Sequence, residues 1–152
     1  MNRMLVLAAL AIAGCGSEPE VDQVVTATWP SGEVKREADV AQGDTLAVRV
    51  YHENGQLDRV EAYDAEGRKS GVWQAFYPDG KPWSEHRYRE GVQIGAYRTW
   101  HPNGALYIDG LYGDDGRPTG TWRFLAPDGS VLREIEGATI AADEAGRNRN
   151  PH

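Results

Sequence analysis

The stretch GVWQAFYPDGKPW, residues 71–83, returns as GAYRTWHPNGALY at 95–107 and as GTWRFLAPDGSVL at 120–132. Aligned on the glycine that closes Pro-Asp-Gly, the chain gives Gly32, Gly55, Gly80, Gly104 and Gly129, separated by 23, 25, 24 and 25 residues. A repeat of this length, five times over, dominates the reading. The two residues before each glycine are Pro-Ser, Glu-Asn, Pro-Asp, Pro-Asn and Pro-Asp. Proline pre-sets φ for the first corner of a type I turn, Asp, Asn or Ser suits the second, and glycine takes the left-handed position that follows. The expectation is a hairpin with a glycine bulge at each turn.

Columns flank each turn. Val25, Val48, Trp73, Tyr97 and Trp122 stand seven residues before the glycine, and Thr28, Tyr51, Phe76, Trp100 and Leu125 four before it. Val34, Leu57, Pro82, Leu106 and Val131 stand two after it, and Val40, Tyr63, Tyr88, Tyr112 and Gly137 eight after. On a regular strand the last two columns share parity and face one side. A second set of turn signals, around Gly43, Gly67, Gly91 and Gly116, joins the units. Each unit therefore reads as strand, turn, strand, turn, and ten strands make an all-β antiparallel meander. Without a second layer, the aromatic columns must stack along the sheet and curl it. The less regular first unit reads as a cap, the repeat domain as residues 24–137, and residues 138–152 as a disordered tail.

The block Gly-x-[Trp/Tyr]-x-x-aromatic-x-x-[Asp/Asn]-Gly resembles the MORN-type repeat in its short bacterial variant, found in exported proteins and in toxin-antitoxin immunity proteins. Gly71, Trp73, Phe76, Asp79 and Gly80 fit it, as do Gly95, Tyr97, Trp100, Asn103 and Gly104. In the next unit Gly120, Trp122, Asp128 and Gly129 fit, with Leu125 in place of the aromatic. The amino-terminal half departs: Leu46 and Val48, and before them Gln23 and Val25, occupy the leading-glycine and aromatic positions. The resemblance implies an elongated, curved single sheet and a non-enzymatic surface that holds another protein, or sometimes lipid. It implies nothing about which partner.

The first fourteen residues, MNRMLVLAALAIAG, place Arg3 ahead of an apolar run. That is a secretory signal in form, too short to span a bilayer. The run closes on Ile12, Ala13, Gly14 and Cys15, which resembles the bacterial lipoprotein signal. Cys15 is the chain's single cysteine, so it has no disulfide partner within the chain, and acylation would use its thiol. Acyl chains would then hold the protein to a membrane through a tether of residues 15–23. Gly16 is not the aspartate associated with inner-membrane retention in some bacteria, which leans the expectation toward the outer membrane.

The net charge is −7, from 16 Lys+Arg and 23 Asp+Glu, and losing Arg3 with the signal takes it to −8. This argues against gripping nucleic acid through its phosphates and against anionic headgroups. Asp79 poses the question of a catalytic acid, but Asn103, Asn54 and Ser31 stand in the same place, and what they share is turn-making ability. His52 and His101 both precede a turn glycine by three, yet two repeats separate them by roughly 19 Å at about 4.8 Å per strand, too far to share an ion. The acidic loop YGDDGRPTG, residues 112–120, lacks the ligand pattern of a calcium hand. No nucleophile elbow or phosphate loop occurs, and no metal or cofactor is expected.

Binding is the remaining expectation. Trp73, Tyr97 and Trp122 form one row, and Trp83 and Tyr107, three residues after their turns, another. Either row could fill the sheet's own curl or anchor a partner. Arg87, Arg89, Arg98 and Arg123 read as solvated charges. The expected protein is a lipid-anchored envelope lipoprotein that recognises a protein partner, immunity to a toxin being one version. The alternative is a structural envelope lipoprotein without a specific soluble partner.

Overall fold

The computed structural model describes residues 20–140. The signal segment, Cys15, and residues 141–152 of the expected tail lie outside them. Ten strands follow one another: β1 (Asp22–Thr28), β2 (Val34–Ala41), β3 (Asp44–Tyr51), β4 (Leu57–Ala62), β5 (Gly71–Phe76), β6 (Pro82–Arg89), β7 (Val92–Trp100), β8 (Leu106–Tyr112), β9 (Pro118–Leu125) and β10 (Val131–Glu136). They form one antiparallel sheet in sequence order. It stays open and does not curl back on itself; the aromatic stacking lies along it as a single layer. β1 begins at Asp22, inside the segment expected as tether, and residues 137–140 are helical where a tail was expected to begin at 138.

The five Pro-Asp-Gly-type turns share one hydrogen-bond pattern. In the third, Tyr77 N donates to Lys81 O at 2.8 Å and Gly80 N to Tyr77 O at 2.8 Å, and Gly80 has φ 82°. The left-handed glycine is needed there because a Cβ would meet the following carbonyl. Turns joining the units are of two kinds. Gln42-Gly43 and Glu90-Gly91 are two-residue loops with both φ positive, at 54° and 96° and at 52° and 84°. Those values are type I′, whose twist matches the strands it joins. At Gly67 and Gly116 the loop has three residues instead, closed by Asp64 N to Arg68 O and Gly113 N to Arg117 O.

Uneven repeat spacing follows from this and from the leading glycines. Between the pairs Glu85 with Arg98 and Arg87 with Ile94, β7 carries two surplus residues around Gly95, which has φ 68°. The second unit has Leu46 there, and between Asp39 with Ala47 and Val40 with Thr45 only one residue is surplus. A leucine cannot take the left-handed geometry cheaply, so its bulge is narrower. Three-residue loops with the wide bulge give the 25-residue separations; a two-residue loop with the wide bulge gives 24, and with the narrow bulge 23.

Directly paired residues share a face. One face carries the core: Ala38, Val48 and Val50, with Val40 and Tyr63 packed against them. From there an aromatic ribbon runs along the sheet. Tyr63 meets Trp73 with centroids 5.4 Å apart, Trp73 meets Tyr88 at 5.4 Å, and Tyr97 meets Tyr112 and Trp122 at 5.9 and 5.1 Å. Such offset or edge contacts add about 0.5–1.5 kcal/mol each to the area they bury. Trp122 is the most enclosed ring, 4 % exposed, because it lies against Gly110, whose bare Cα leaves the space.

Candidate functional site

The second strand of every hairpin contains a bulge that the sequence reading missed. Ala75 pairs with Ser84 and Phe76 with Pro82, leaving Trp83 surplus; Thr99 pairs with Ile108 and Trp100 with Leu106, leaving Tyr107 surplus. Lys35, Asp58 and Leu132 are surplus in the same way. The parity argument that put the second and eighth residues after the turn on one face therefore fails: Pro82 pairs with Phe76 on one face, Tyr88 packs on Trp73 on the other. A bulge re-aims the side chain it displaces. Trp83 is 52 % exposed, Tyr107 40 % and Leu132 66 %, forming a row on three successive units.

Of the residues expected to contact a partner, Trp73, Tyr97 and Trp122 are half-buried or buried in the ribbon, whereas Trp83 and Tyr107 stand outside it. Trp73 is tied down further: its Nε1 donates to Ala62 O at 2.8 Å, and the Lys69 ammonium lies 4.4 Å from its ring centroid. His86, beside Tyr97, has its pKa lowered by burial and then by Lys69. Burial, and then a hydrogen bond to Glu61, push the Tyr63 hydroxyl up to about 12.

Three of the displaced residues rest on a ring across their turn: Lys35 lies over Trp29 at 4.3 Å, Trp83 against Tyr77 at 6.5 Å and Tyr107 against His101 at 4.6 Å. Those rings form a ladder. Trp29 Nε1 donates to Tyr51 O at 3.2 Å, His52 Nε2 to Phe76 O at 3.2 Å, Tyr77 Oη to Trp100 O at 2.7 Å and His101 Nε2 to Leu125 O at 2.8 Å. A carbonyl can only accept, so both imidazoles carry hydrogen on Nε2. In every case the donor stands three before one turn glycine and the acceptor four before the next. His52 and His101 thus belong to a column of rings with an N–H or O–H at the tip, a signal available in the sequence had Trp29 and Tyr77 been read with them. In the last unit the column holds Ala126, which has nothing to donate.

A second ladder runs through the residue the sequence offered as an acid. Asn54 Nδ2 donates to Pro78 O at 2.8 Å and Asn103 Nδ2 to Pro127 O at 2.7 Å, each reaching the next turn. Asp79 cannot donate, and Lys81 Nζ takes over, reaching Pro102 O at 3.2 Å and Asp79 Oδ2 at 2.7 Å. Asn54, Asp79, Asn103 and Asp128 each also accept from the amide two residues on, Asp79 Oδ1 from Lys81 N at 3.1 Å. The Lys81 ammonium first, and then that amide, hold the Asp79 carboxyl below its usual range. Asp79→Asn keeps the acceptor for Lys81 N and adds the donor that Asn54 and Asn103 use, so it should leave the urea-unfolding midpoint nearly unchanged. Asn103→Asp, which turns a donor into a charge facing Pro127 O, should cost about 1 kcal/mol.

Among the described residues no group of three or more His, Cys, Asp or Glu side chains could hold a metal ion, and no helix is long and apolar enough to cross a membrane. A recess of about 200 Å³ beside Trp73 contains Ser84 and His86, but His86 Nδ1 meets Gln93 Nε2 at 3.2 Å rather than the serine.

Residues 69–90, which run from the inter-unit turn through β5, the Asp79 turn and β6, match the family model described as MORN repeat variant. This hairpin is a MORN-variant repeat. The other four hairpins share its turn and its displaced residue, including the two in which the leading glycine is missing. Eleven solved chains are similar to this one. One, from a GtfA/B complex bound to UDP and GlcNAc, is 12 % identical with a TM-score of 0.42. The alignment covers 88 % of this chain and 27 % of that one. No curated protein matches.

Proposed function

We propose that this MORN-variant repeat protein is a non-catalytic lipoprotein, acylated at Cys15, that binds a protein partner at the cell envelope. Toxin immunity is one form that role takes. The observation that carries the binding reading is the row of Trp83 and Tyr107, two large rings that the hairpin bulges hold out of the ribbon. Trp and Tyr are favoured anchors in interfaces, and a ring already seated on Tyr77 or His101 loses little freedom on binding. The charge of −8 left once the signal with Arg3 is removed sets the membrane contact apart from the sheet: it disfavours an anionic lipid surface, leaving attachment to the acyl group.

The test places a photo-crosslinking amino acid at 83 or 107 in cells. One discrete protein adduct is expected, lost when the neighbouring ring of the pair is replaced by alanine, while Trp83→Ala with Tyr107→Ala leaves the unfolding midpoint within about 2 °C. No adduct at either position would sink the binding reading. Separately, Cys15→Ser should release the protein from the membrane fraction, and retention would sink the anchor.

A further inference from the structure

The two ends of the array are not equivalent. Every unit-to-unit join is clasped at the turn end by a ring donor reaching the carbonyl four before the next turn glycine. Three of the four joins add a donor to the carbonyl two before it. At the amino-terminal edge the matching carbonyls belong to Thr28 and Pro30, and no described side chain donates to either. At the carboxy-terminal edge the matching donors are missing, since Ala126 has no polar tip and the Asp128 carboxylate can only accept, as it does from Ser130 N at 2.9 Å. The strands differ likewise. β10 carries Arg133, Glu134 and Glu136, charges that blunt an edge, whereas β1 carries the single charge of Asp22, has no Lys or Pro, and exposes Val24 and Val25.

We infer that the β1 edge is a docking edge for a β-hairpin of another polypeptide. That hairpin continues the sheet with its second strand along Asp22–Thr28 and supplies the missing donors: a His, Trp or Tyr to Thr28 O, and an Asn or Lys to Pro30 O. This rests on the reading of the protein as a binder of other proteins, and it names where and by what fold a partner adds. A second copy joined head to tail is not the occupant, because this chain's last unit lacks both donors. The added hairpin needs the same spacing as the internal clasps, with its ring three before a turn glycine and its amide one before. His101 and Asn103 meet that description within this chain, in a unit whose own contacts provide the pattern.

The probe is a backbone-cyclised, fluorescently labelled peptide of residues 95–112, cyclised so that the hairpin is formed before binding. Titrating it with the full chain should give saturable anisotropy, at least tenfold tighter than the same cyclic peptide with His101→Ala and Asn103→Asp. Equal affinities, or no binding of either peptide, would overturn the inference. The full chain with Ala126→His and Asp128→Asn gives an independent reading. Sedimentation should show head-to-tail association at concentrations where the parent is a single species. A variant that remains a single species with an unchanged unfolding midpoint would also overturn it. Trp83→Ala with Tyr107→Ala should leave peptide affinity unchanged, so loss of the exposed row and loss of the edge fail separately.

Discussion

Trp122→Ala is expected to destabilise the protein by about 3–5 kcal/mol in urea unfolding, the range for emptying a buried aromatic site. Trp122 is 4 % exposed and packs on Tyr97 at 5.1 Å and Tyr112 at 5.2 Å, so its removal leaves two tyrosines without their common neighbour. A globular core could close over part of the hole. A single sheet has no layer above to move in, and the loss should sit near the upper end of that range. Trp122→Phe should cost less than half as much. The indole Nε1 is buried with no hydrogen-bond partner among the described residues, and phenylalanine removes that unmet donor while keeping a ring in place. If the alanine and phenylalanine variants were equally destabilised, the ring contacts would not be what stabilises this end of the sheet. Hydrogen exchange should localise the damage to β8, β9 and β10, because each unit of such an array leans only on its neighbours.

How legible the fold was in the sequence depends on where the determining chemistry lies. The hairpin corners were readable because proline fixes its own φ and glycine takes positive φ without a Cβ clash, and Gly80 and its counterparts sit at the left-handed corner their neighbours imply. The two kinds of inter-unit turn were also written there, in the alternation of separations 23, 25, 24 and 25, but a uniform turn reading passed over it. The bulge at Trp83 was not readable. No residue type marks that position, which holds Lys35, Asp58, Trp83, Tyr107 and Leu132 in turn, because the displaced residue is set by pairing with the opposite strand. Missing it reversed the face assigned to the residues two after each turn. It also hid the reason Trp83 and Tyr107 differ in exposure from Trp73 and Trp122, although all four are aromatic.

The ladders make the Pro-Asp-Gly turn more than a reversal of the chain. Asn54 and Asn103 each accept from their own turn and donate to the next, so one side chain both shapes a unit and joins it to its neighbour. The repeat's spacing must be held for that reach to succeed. An array joined in this way has a direction, donors pointing toward the carboxy-terminal unit and acceptors left over at the first. The residues that end the pattern, Ala126 and Asp128, are as informative as those that continue it.

Gly110→Ala is expected to cost about 2–3 kcal/mol, an unusual penalty for adding one methyl group at a site with an ordinary strand φ. Alanine is normally the better residue in a strand interior, by roughly 0.5–1 kcal/mol. Here a Cβ would stand 2.4–2.6 Å from three carbons of the Trp122 ring. The ring cannot slide away cheaply, since Tyr97 and Tyr112 hold it on two sides. The column explains why glycine is found only in this unit: six residues after the turn the others carry Ala38, Glu61, His86 and Ile135, and none of those lies beneath a ring as enclosed as Trp122. A double-mutant cycle separates this contact from any general intolerance of the backbone. In the Trp122→Ala background, Gly110→Ala should cost nothing or stabilise slightly, because the space the ring filled is then free. The coupling between the two positions should accordingly equal nearly the whole cost of Gly110→Ala. Additive costs would mean that the strand, and not the ring, rejects the methyl group, and the burial of Trp122 would need another cause than the bare backbone beneath it.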